Sequence, residues 1–166
     1  MLLNNVEVKS FLPHRAPFLF IDTVGEVITP ESFKTIDSPE PKDLMGSKVI
    51  AYFEVKEDLE ILKGHFPGNP ILPGVIQIEM MAQASAFTSL PLYNLSKKDL
   101  NIETVLVSVE KSKFRKPILP GMKLEIHATM VKNRGTIASY SAEIFCDGEK
   151  QSEAVFLAKL EIKKDS

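Results

Sequence analysis

The stretch over residues 74–90, GVIQIEMMAQASAFTSL, decides the fold of this chain. It is apolar nearly all round, and Glu79 is its only charged residue. A helix that is hydrophobic on every side has to be buried on every side. The stretch therefore predicts one long helix enclosed by the rest of the chain, with a single carboxyl group in apolar surroundings.

Strand patterns fill the C-terminal third of the sequence. Apolar and polar residues alternate over residues 123–131, which is the period of a half-buried strand. A turn at Arg134-Gly135 precedes a second strand over about residues 136–146, and Asp147-Gly148 is a strong hairpin signal. The third strand has one face made of Ser152, Ala154, Phe156, Ala158, Leu160 and Ile162, and two further candidate strands are residues 49–55 and 104–109. These patterns predict an α+β fold in which antiparallel strands wrap around one buried helix.

The composition is that of a globular chain. The 166 residues are 44% apolar and 25% charged, with 20 Lys and Arg against 22 Asp and Glu, a net charge of -2. We predict a single domain over residues 1–166, with a polar insertion over about residues 29–48. Near-neutral charge argues against nucleic-acid binding, and no stretch reads as a signal peptide or transmembrane helix. The single Cys146 cannot form an internal disulfide, which favours a reducing compartment, so we expect a cytoplasmic protein. From the charge and the lack of an apolar span we expect no nucleic-acid or membrane partner.

The segment that enters the helix, GHFPGNPILPG over residues 64–74, concentrates the candidate chemistry. Its prolines and glycines fix an irregular backbone path, and His65 is a residue type that exchanges protons near neutral pH. Burial should raise the pKa of Glu79 and suit it to act as a general acid. Unpaired N–H groups at the helix start, near Gly74 and Val75, make a ready oxyanion site. Together these groups suit proton abstraction next to a carbonyl.

The residues alone leave other interpretations open. His65 could be a structural or solvated histidine, and Glu79 could pair with an arginine for fold specificity. The spacing of Pro67, Pro70 and Pro73 resembles that of a polyproline II ligand. The intervening glycine and the immediate entry into a buried helix favour a packed loop over an exposed ligand.

Three motifs occur along the chain in a characteristic order. The first is Leu12-Pro13-His14-Arg15-Ala16-Pro17-Phe18, and the second is the run of residues 64–75 followed by Glu79 and Ala82-Gln83. The third is Phe114-Arg115-Lys116-Pro117 with Pro120-Gly121. Together they resemble the motifs of the bacterial 3-hydroxyacyl-[acyl carrier protein] dehydratases of the FabZ type, over nearly the whole chain.

The resemblance implies a hotdog fold, in which a curved antiparallel sheet wraps around one long apolar helix. It implies dehydration of a (3R)-3-hydroxyacyl thioester to the trans-2-enoyl thioester in fatty acid or related lipid biosynthesis, without a metal or an organic cofactor. His65 matches the family base that removes the C2 proton, and Glu79 matches the carboxylate that helps the C3 hydroxyl leave. The backbone N–H of Gly74 would bind the thioester oxygen. Substrate-binding residues of the same signature would be Phe66, Pro73 and Val75.

The resemblance also implies partners. Acyl carrier protein would carry the substrate, and a basic cluster of Lys111, Lys113, Arg115 and Lys116 could steer its docking. In this family a homodimer shares its sites, with the histidine from one subunit and the carboxylate from the other, and three dimers often form a hexamer. The alternatives are a hotdog acyl thioesterase and a non-catalytic acyl-thioester-binding regulator. Glutamate at position 79 matches the branch that only dehydrates.

Overall fold

The computed structural model describes residues 1–96 and 100–164, and the side chains of residues 1–94 and 104–159. Its α-helices are α1 (Asn5–Phe11), α2 (Gly74–Ala86) and α3 (Leu90–Ser96). Its strands are β1 (Thr23–Ile28), β2 (Lys48–Glu54), β3 (Leu100–Phe114), β4 (Lys123–Arg134), β5 (Ile137–Cys146) and β6 (Glu149–Lys164). Within these described ranges, no helix is long and apolar enough to cross a lipid bilayer.

The six strands form one antiparallel sheet in the order β1-β2-β4-β5-β6-β3. The predicted meander of β4, β5 and β6 is confirmed, although β4 continues three residues beyond its predicted end, and β2 is confirmed with each end one residue earlier than predicted. Strand β1 was not predicted, because Gly25 interrupts its pattern at a register shift between Val24 and Glu26. Strands β1 and β3 are the two edges of the sheet.

Helix α2 packs against the face of the sheet that bends around it. The predicted inner face of β4 is confirmed, with Leu124, Ile126, Ala128 and Met130 all buried. On β6, Ser152, Ala154, Phe156 and Ala158 are buried as predicted, whereas Leu160 and Ile162 lie outside the side chains that are described. The predicted architecture, antiparallel strands around one apolar helix, is therefore confirmed.

The central helix differs from the prediction in two ways. Helix α2 ends at Ala86, and a 3-10 turn, Phe87–Ser89, leads into α3. The hydroxyls of Ser85, Thr88 and Ser89 each donate to a carbonyl three residues earlier, and such bonds often bend helices. Burial on every side was also wrong for the single chain, because Val75 is 72% exposed and Glu79 is only half-buried.

The edge strand β3 is longer than the predicted strand over residues 104–109. Its register against β6 shifts between Leu106 and Ser108 and again between Val109 and Lys111. These bulges break the alternation on which the prediction depended. Leu106, Val109 and Phe114 pair with the buried Ala158, Phe156 and Ser152 of β6 and so face the helix side, yet they are 38%, 40% and 46% exposed.

The segment between β1 and β2 corresponds to the predicted polar insertion. It contains two short 3-10 helices, Glu31–Thr35 and Pro41–Leu44, which bury Phe33 and Leu44. Backbone hydrogen bonds of 2.8 Å from Gly46 N to Met130 O and 3.0 Å from Met130 N to Ser47 O tie its end to β4. The segment is therefore a packed excursion.

Candidate active site

The loop before α2 is closed on itself by backbone hydrogen bonds. Phe66 and Asn69 exchange bonds of 3.1 and 2.9 Å across Pro67-Gly68, with Gly68 at a φ of 75°. Proline followed by a glycine of positive φ is the pattern of a type II turn. The N–H of Ile71 donates to the carbonyl of His65 at 2.8 Å. The prolines and glycines of the sequence thus fix the position of His65, as predicted.

The ring of His65 has a defined orientation. Its Nδ1 lies 2.8 Å from the carbonyl oxygen of Ile71. A carbonyl oxygen only accepts, so Nδ1 carries the hydrogen and donates it. In the neutral imidazole, Nε2 then holds the free lone pair. The half-buried His65 is therefore oriented to accept a proton at Nε2.

His65 shares a cavity with the start of α2. The cavity has a volume of about 370 Å³, and its lining includes His65, Gly74, Gln77, Phe114 and Arg115. A Cβ atom on Gly74 would lie 2.8 Å from Cζ of Phe114, so the ring packs directly on the glycine. No described side chain caps the helix. The first N–H groups with acceptors in this turn are those of Ile76 and Gln77, which donate to Pro73 O at 3.1 and 3.2 Å.

Glu79 lies one turn further along the helix and is held by side chains. Its Oε1 accepts a hydrogen bond of 2.9 Å from Gln83 Nε2 and lies 3.4 Å from His14 Nε2. The pKa of Glu79 is lowered, and the hydrogen bond with His14 is the largest cause. Burial acts in the opposite direction and raises the pKa, whereas the hydrogen bond from Gln83 lowers it further. The prediction of a raised pKa was wrong, because it considered burial without these partners. The open alternative of an arginine partner is also wrong for the described side chains, since the partner of Glu79 is the imidazole of His14.

Gln83 connects the carboxyl to the N-terminal segment. Its side chain is buried, accepts from Phe20 N at 2.9 Å, and donates to Phe18 O at 2.9 Å as well as to Glu79. The sequence singled out Gln83 and His14 only as parts of motifs and assigned them no role at Glu79. The order of the motifs was the one sequence signal that connected these residues, and it does not indicate which side chains lie close together.

The structure does not bring His65 and Glu79 into one cavity within a single chain. Glu79 lines a separate cavity of about 30 Å³ together with His14, Gln83, Thr104 and Leu106, among other residues. The spacing of the two residues in sequence offered no reason for their side chains to meet in one subunit. The two candidate catalytic residues therefore occupy two half-sites, which we call the His65 half-site and the Glu79 half-site.

The residues predicted to bind substrate surround the His65 half-site. Phe66 is 53% exposed and stacks on the His65 ring with 4.1 Å between ring centroids. Val75 is exposed on the first turn of α2, and Pro73 is the buried N-cap residue. Their roles stay predictions. Across the described parts of the chain, no group of three or more His, Cys, Asp or Glu is placed to hold a metal ion.

Known structures share this architecture. The dehydratase heterocomplex ApeI:P from Xenorhabdus doucetiae matches with a TM-score of 0.70 at 20% identity, covering 93% of this chain and 90% of the other. A hypothetical thioesterase with coenzyme A from Streptococcus pneumoniae TIGR4 matches with a TM-score of 0.53 at 16% identity, covering 72% and 82%. These likenesses confirm the predicted hotdog fold, which dehydratases and thioesterases share.

Sequence similarity identifies the family. The model of the ApeI-like family, described as ApeI dehydratase, matches residues 42–154. The 3-hydroxyacyl-[acyl-carrier-protein] dehydratase FabZ of a Nitratiruptor species is 35% identical over 161 residues, 96% of this chain and 98% of the relative. That of Myxococcus xanthus is 34% identical over 96% and 92%. The chain belongs to this dehydratase family, which confirms the predicted family, enzyme class and reaction.

Proposed function

We propose that His65 and Glu79 carry out the dehydration of a (3R)-3-hydroxyacyl thioester on acyl carrier protein. The observation that carries this proposal is the hydrogen bond of 2.8 Å from His65 Nδ1 to the Ile71 carbonyl. It leaves Nε2 free to take the proton from C2, which is acidic because it adjoins the thioester carbonyl. A positioned base of this kind contributes about 10²–10⁴-fold to the rate.

Glu79 assists the departure of the C3 hydroxyl. Because the pKa of Glu79 is lowered by His14 and Gln83, the carboxyl is ionised at neutral pH and accepts a hydrogen bond from the hydroxyl. His65 takes the proton from C2, the C–H electrons form the C2–C3 double bond, and the C3–O bond breaks. The imidazolium then returns the same proton to the leaving oxygen. Atoms and charge balance, and the products are the enoyl thioester and water.

The N–H of Gly74 binds the thioester oxygen as negative charge develops on it. Support comes from the shared cavity of His65 and Gly74 and from the uncapped start of α2. One preorganised N–H donor of this kind is worth about 10²–10³-fold in rate. Phe66, Pro73 and Val75 would hold the acyl thioester around this point.

Two subunits complete each site. Strand β3 passes both cavities, since Phe114 lines the His65 half-site and Thr104 and Leu106 line the Glu79 half-site. Antiparallel pairing of β3 with its copy about a two-fold axis near Val109, midway between positions 104 and 114, would set the His65 half-site of one subunit against the Glu79 half-site of the other. The exposed apolar side chains on the helix side of β3 and on α2 would be buried by this pairing.

The partner that delivers the substrate is acyl carrier protein, in the cytoplasm. The basic cluster supports docking only in part, because Arg115 is paired with Glu153 at 2.8 Å and Lys116 with Glu149. Lys111 and Lys113 are exposed on the same stretch of β3. A dimer is the smallest assembly that would complete the sites, and a trimer of dimers would preserve them.

An assay that follows both possible products tests the reaction. The protein is incubated with a 3-hydroxyacyl carrier-protein thioester while enoyl absorbance and free thiol are recorded. We expect enoyl absorbance without thiol release. Thiol release without enoyl product would establish a thioesterase instead, and binding without turnover would establish a regulator.

Subunit mixing tests the shared site. We expect His65→Ala and Glu79→Gln each to lower kcat by about 10²–10⁴-fold while the circular dichroism spectrum stays unchanged. After subunit exchange, a mixed dimer has one site with both residues intact, so an equal mixture should regain about a quarter of the wild-type activity. Mixed dimers verified by mass that stay inactive would refute the shared site.

A further inference from the structure

The cavity of the Glu79 half-site has the size of a single water molecule. Its volume is about 30 Å³, and a site of about 10–15 Å³ or more admits one water. Apolar side chains, Leu106 of β3 among them, make up much of its lining. The polar side chains on its lining include Glu79, His14 and Thr104.

Thr104 contributes a hydroxyl to the lining of this cavity. Its Oγ1 is buried and has no hydrogen-bond partner among the described residues. A buried hydroxyl without a partner is costly, because it has given up its hydrogen bonds to water and gained none in exchange. Nδ1 of His14, on the lining of the same cavity, is likewise buried without a partner in the described part of the chain. These two atoms and the Glu79 carboxylate provide the two to four polar contacts that an enclosed water requires.

The chemistry of the lining is complementary to a leaving hydroxyl. A carboxylate only accepts hydrogen bonds, and it takes the hydrogen of the C3 hydroxyl or of the product water. A threonine hydroxyl rotates freely and donates to an oxygen on which negative charge is developing. Glu79 and Thr104 are supplied by one subunit, so they would approach the same oxygen from a single half-site.

We propose that the Thr104 hydroxyl, together with Glu79, binds the C3 hydroxyl of the substrate and then the water that it becomes. This inference rests on the proposed function of His65 and Glu79. As the C3–O bond breaks, its electron pair stays on oxygen, and Thr104 Oγ1–H donates to that oxygen. The imidazolium of His65 supplies the proton taken from C2, and water remains between Thr104 and Glu79.

Substitution of Thr104 tests the inference. Thr104→Val keeps the shape of the side chain and removes the hydroxyl. We expect kcat/KM to fall by about ten- to a hundredfold, less than the loss of about 10²–10³-fold that is typical of an oxyanion-hole donor. Thr104→Ser keeps the hydroxyl and should remain within about threefold of wild type. Ser108→Ala is the matched control, since Ser108 pairs with Leu157 and faces the other side of β3.

A binding measurement separates this role from a structural one. In the His65→Ala background, which prevents turnover, calorimetry compares a 3-hydroxyacyl thioester with the acyl thioester that lacks the hydroxyl. Adding Thr104→Val should weaken binding of the hydroxylated ligand alone, by about two- to tenfold for one neutral hydrogen bond. Equal losses for both ligands, or a Thr104→Val enzyme within twofold of wild type, would overturn the inference. A fully active His65→Ala protein would instead overturn the proposed function.

Discussion

The two half-sites are built in different ways, although both lie along one helix. His65 is held by backbone groups close to it in sequence, since its ring contacts Ile71 O and its own backbone bonds to Leu62 and Ile71. Glu79 is held by side chains, one of which, His14, comes from the far N-terminal segment. The first half-site depends on local turn geometry, and the second depends on tertiary packing and on charge.

Because of this difference, the two half-sites should respond differently to changes of pH and to substitutions. Backbone hydrogen bonds of the His65 loop do not titrate, so the orientation of the ring survives changes of pH that leave the loop folded. The position and ionisation of Glu79 depend on an imidazole and an amide, and both depend on the packing of residues 14–20 against α2. Variants around the Glu79 half-site should therefore affect stability and pH dependence more than variants around the His65 half-site.

The largest expected effect on stability is that of Gln83→Leu. The substitution leaves the buried N–H of Phe20 and the part-buried carbonyl of Phe18 without the partner they have in the folded chain, and one unpaired buried group costs about 1–3 kcal/mol. We expect a lower unfolding midpoint in urea, measured by circular dichroism. Gln77→Leu is the matched control in the same helix.

Gln77 is buried like Gln83, but among the described residues its Nε2 donates one hydrogen bond, of 3.2 Å to Leu72 O, and its Oε1 has no partner. We expect Gln77→Leu to cost less than about 1 kcal/mol. Equal destabilisation by the two substitutions would mean that Gln83 does not hold the N-terminal segment.

The next effect is a shift of pH dependence in His14→Phe. His14 is the largest cause of the lowered pKa of Glu79, and burial acts in the opposite direction, so the pKa of Glu79 rises when the imidazole is removed. The acid limb of the kcat/KM profile should move to higher pH, as a profile over several buffers would measure. His127→Phe, which breaks a pair with Glu125 on the sheet, should leave that limb in place.

The midpoint of acid unfolding should shift in the same direction as the acid limb of the kcat/KM profile. A carboxyl with a lowered folded-state pKa stabilises the protein above its ordinary pKa, and this contribution is lost as pH falls through the lowered value. In His14→Phe the contribution shrinks, so the midpoint of acid unfolding should move to higher pH. An unchanged midpoint together with an unchanged acid limb would show that His14 does not control Glu79.

The smallest expected effect belongs to Gly74→Ala in the His65 half-site. The new methyl group would meet the Phe114 ring at 2.8 Å, but the atoms that it meets are the far end of that side chain, so the ring can rotate away. Gly74 is the first residue of α2 and does not have a positive φ, so alanine fits the backbone there without strain. Stability should be nearly unchanged, while KM rises severalfold because the displaced ring narrows the cavity. Adding Phe114→Leu should restore KM, and a KM that stays raised would exclude the ring as the cause.

Much of the fold could be predicted from sequence because its signals are local. The apolar run of α2 and the alternation in β4 and β5 are properties of neighbouring residues. Strand β1 was missed and β3 was shortened because a glycine and two bulges interrupt the period of two. The pKa of Glu79 could not be predicted, since its sign depends on His14, which is distant in sequence.

The sequence by itself determined the helix, the meander, the rigid path around His65 and the candidate residue types for acid–base chemistry. These depend on hydrophobic periodicity and on the restricted backbone of proline and glycine, which act over a few residues. Only the tertiary structure decided that Glu79 lies beside His14 and Gln83, that Phe114 covers Gly74, and that the two half-sites are separate in one chain. Those relations are distances between remote segments, and they are set by how the sheet curves around the helix.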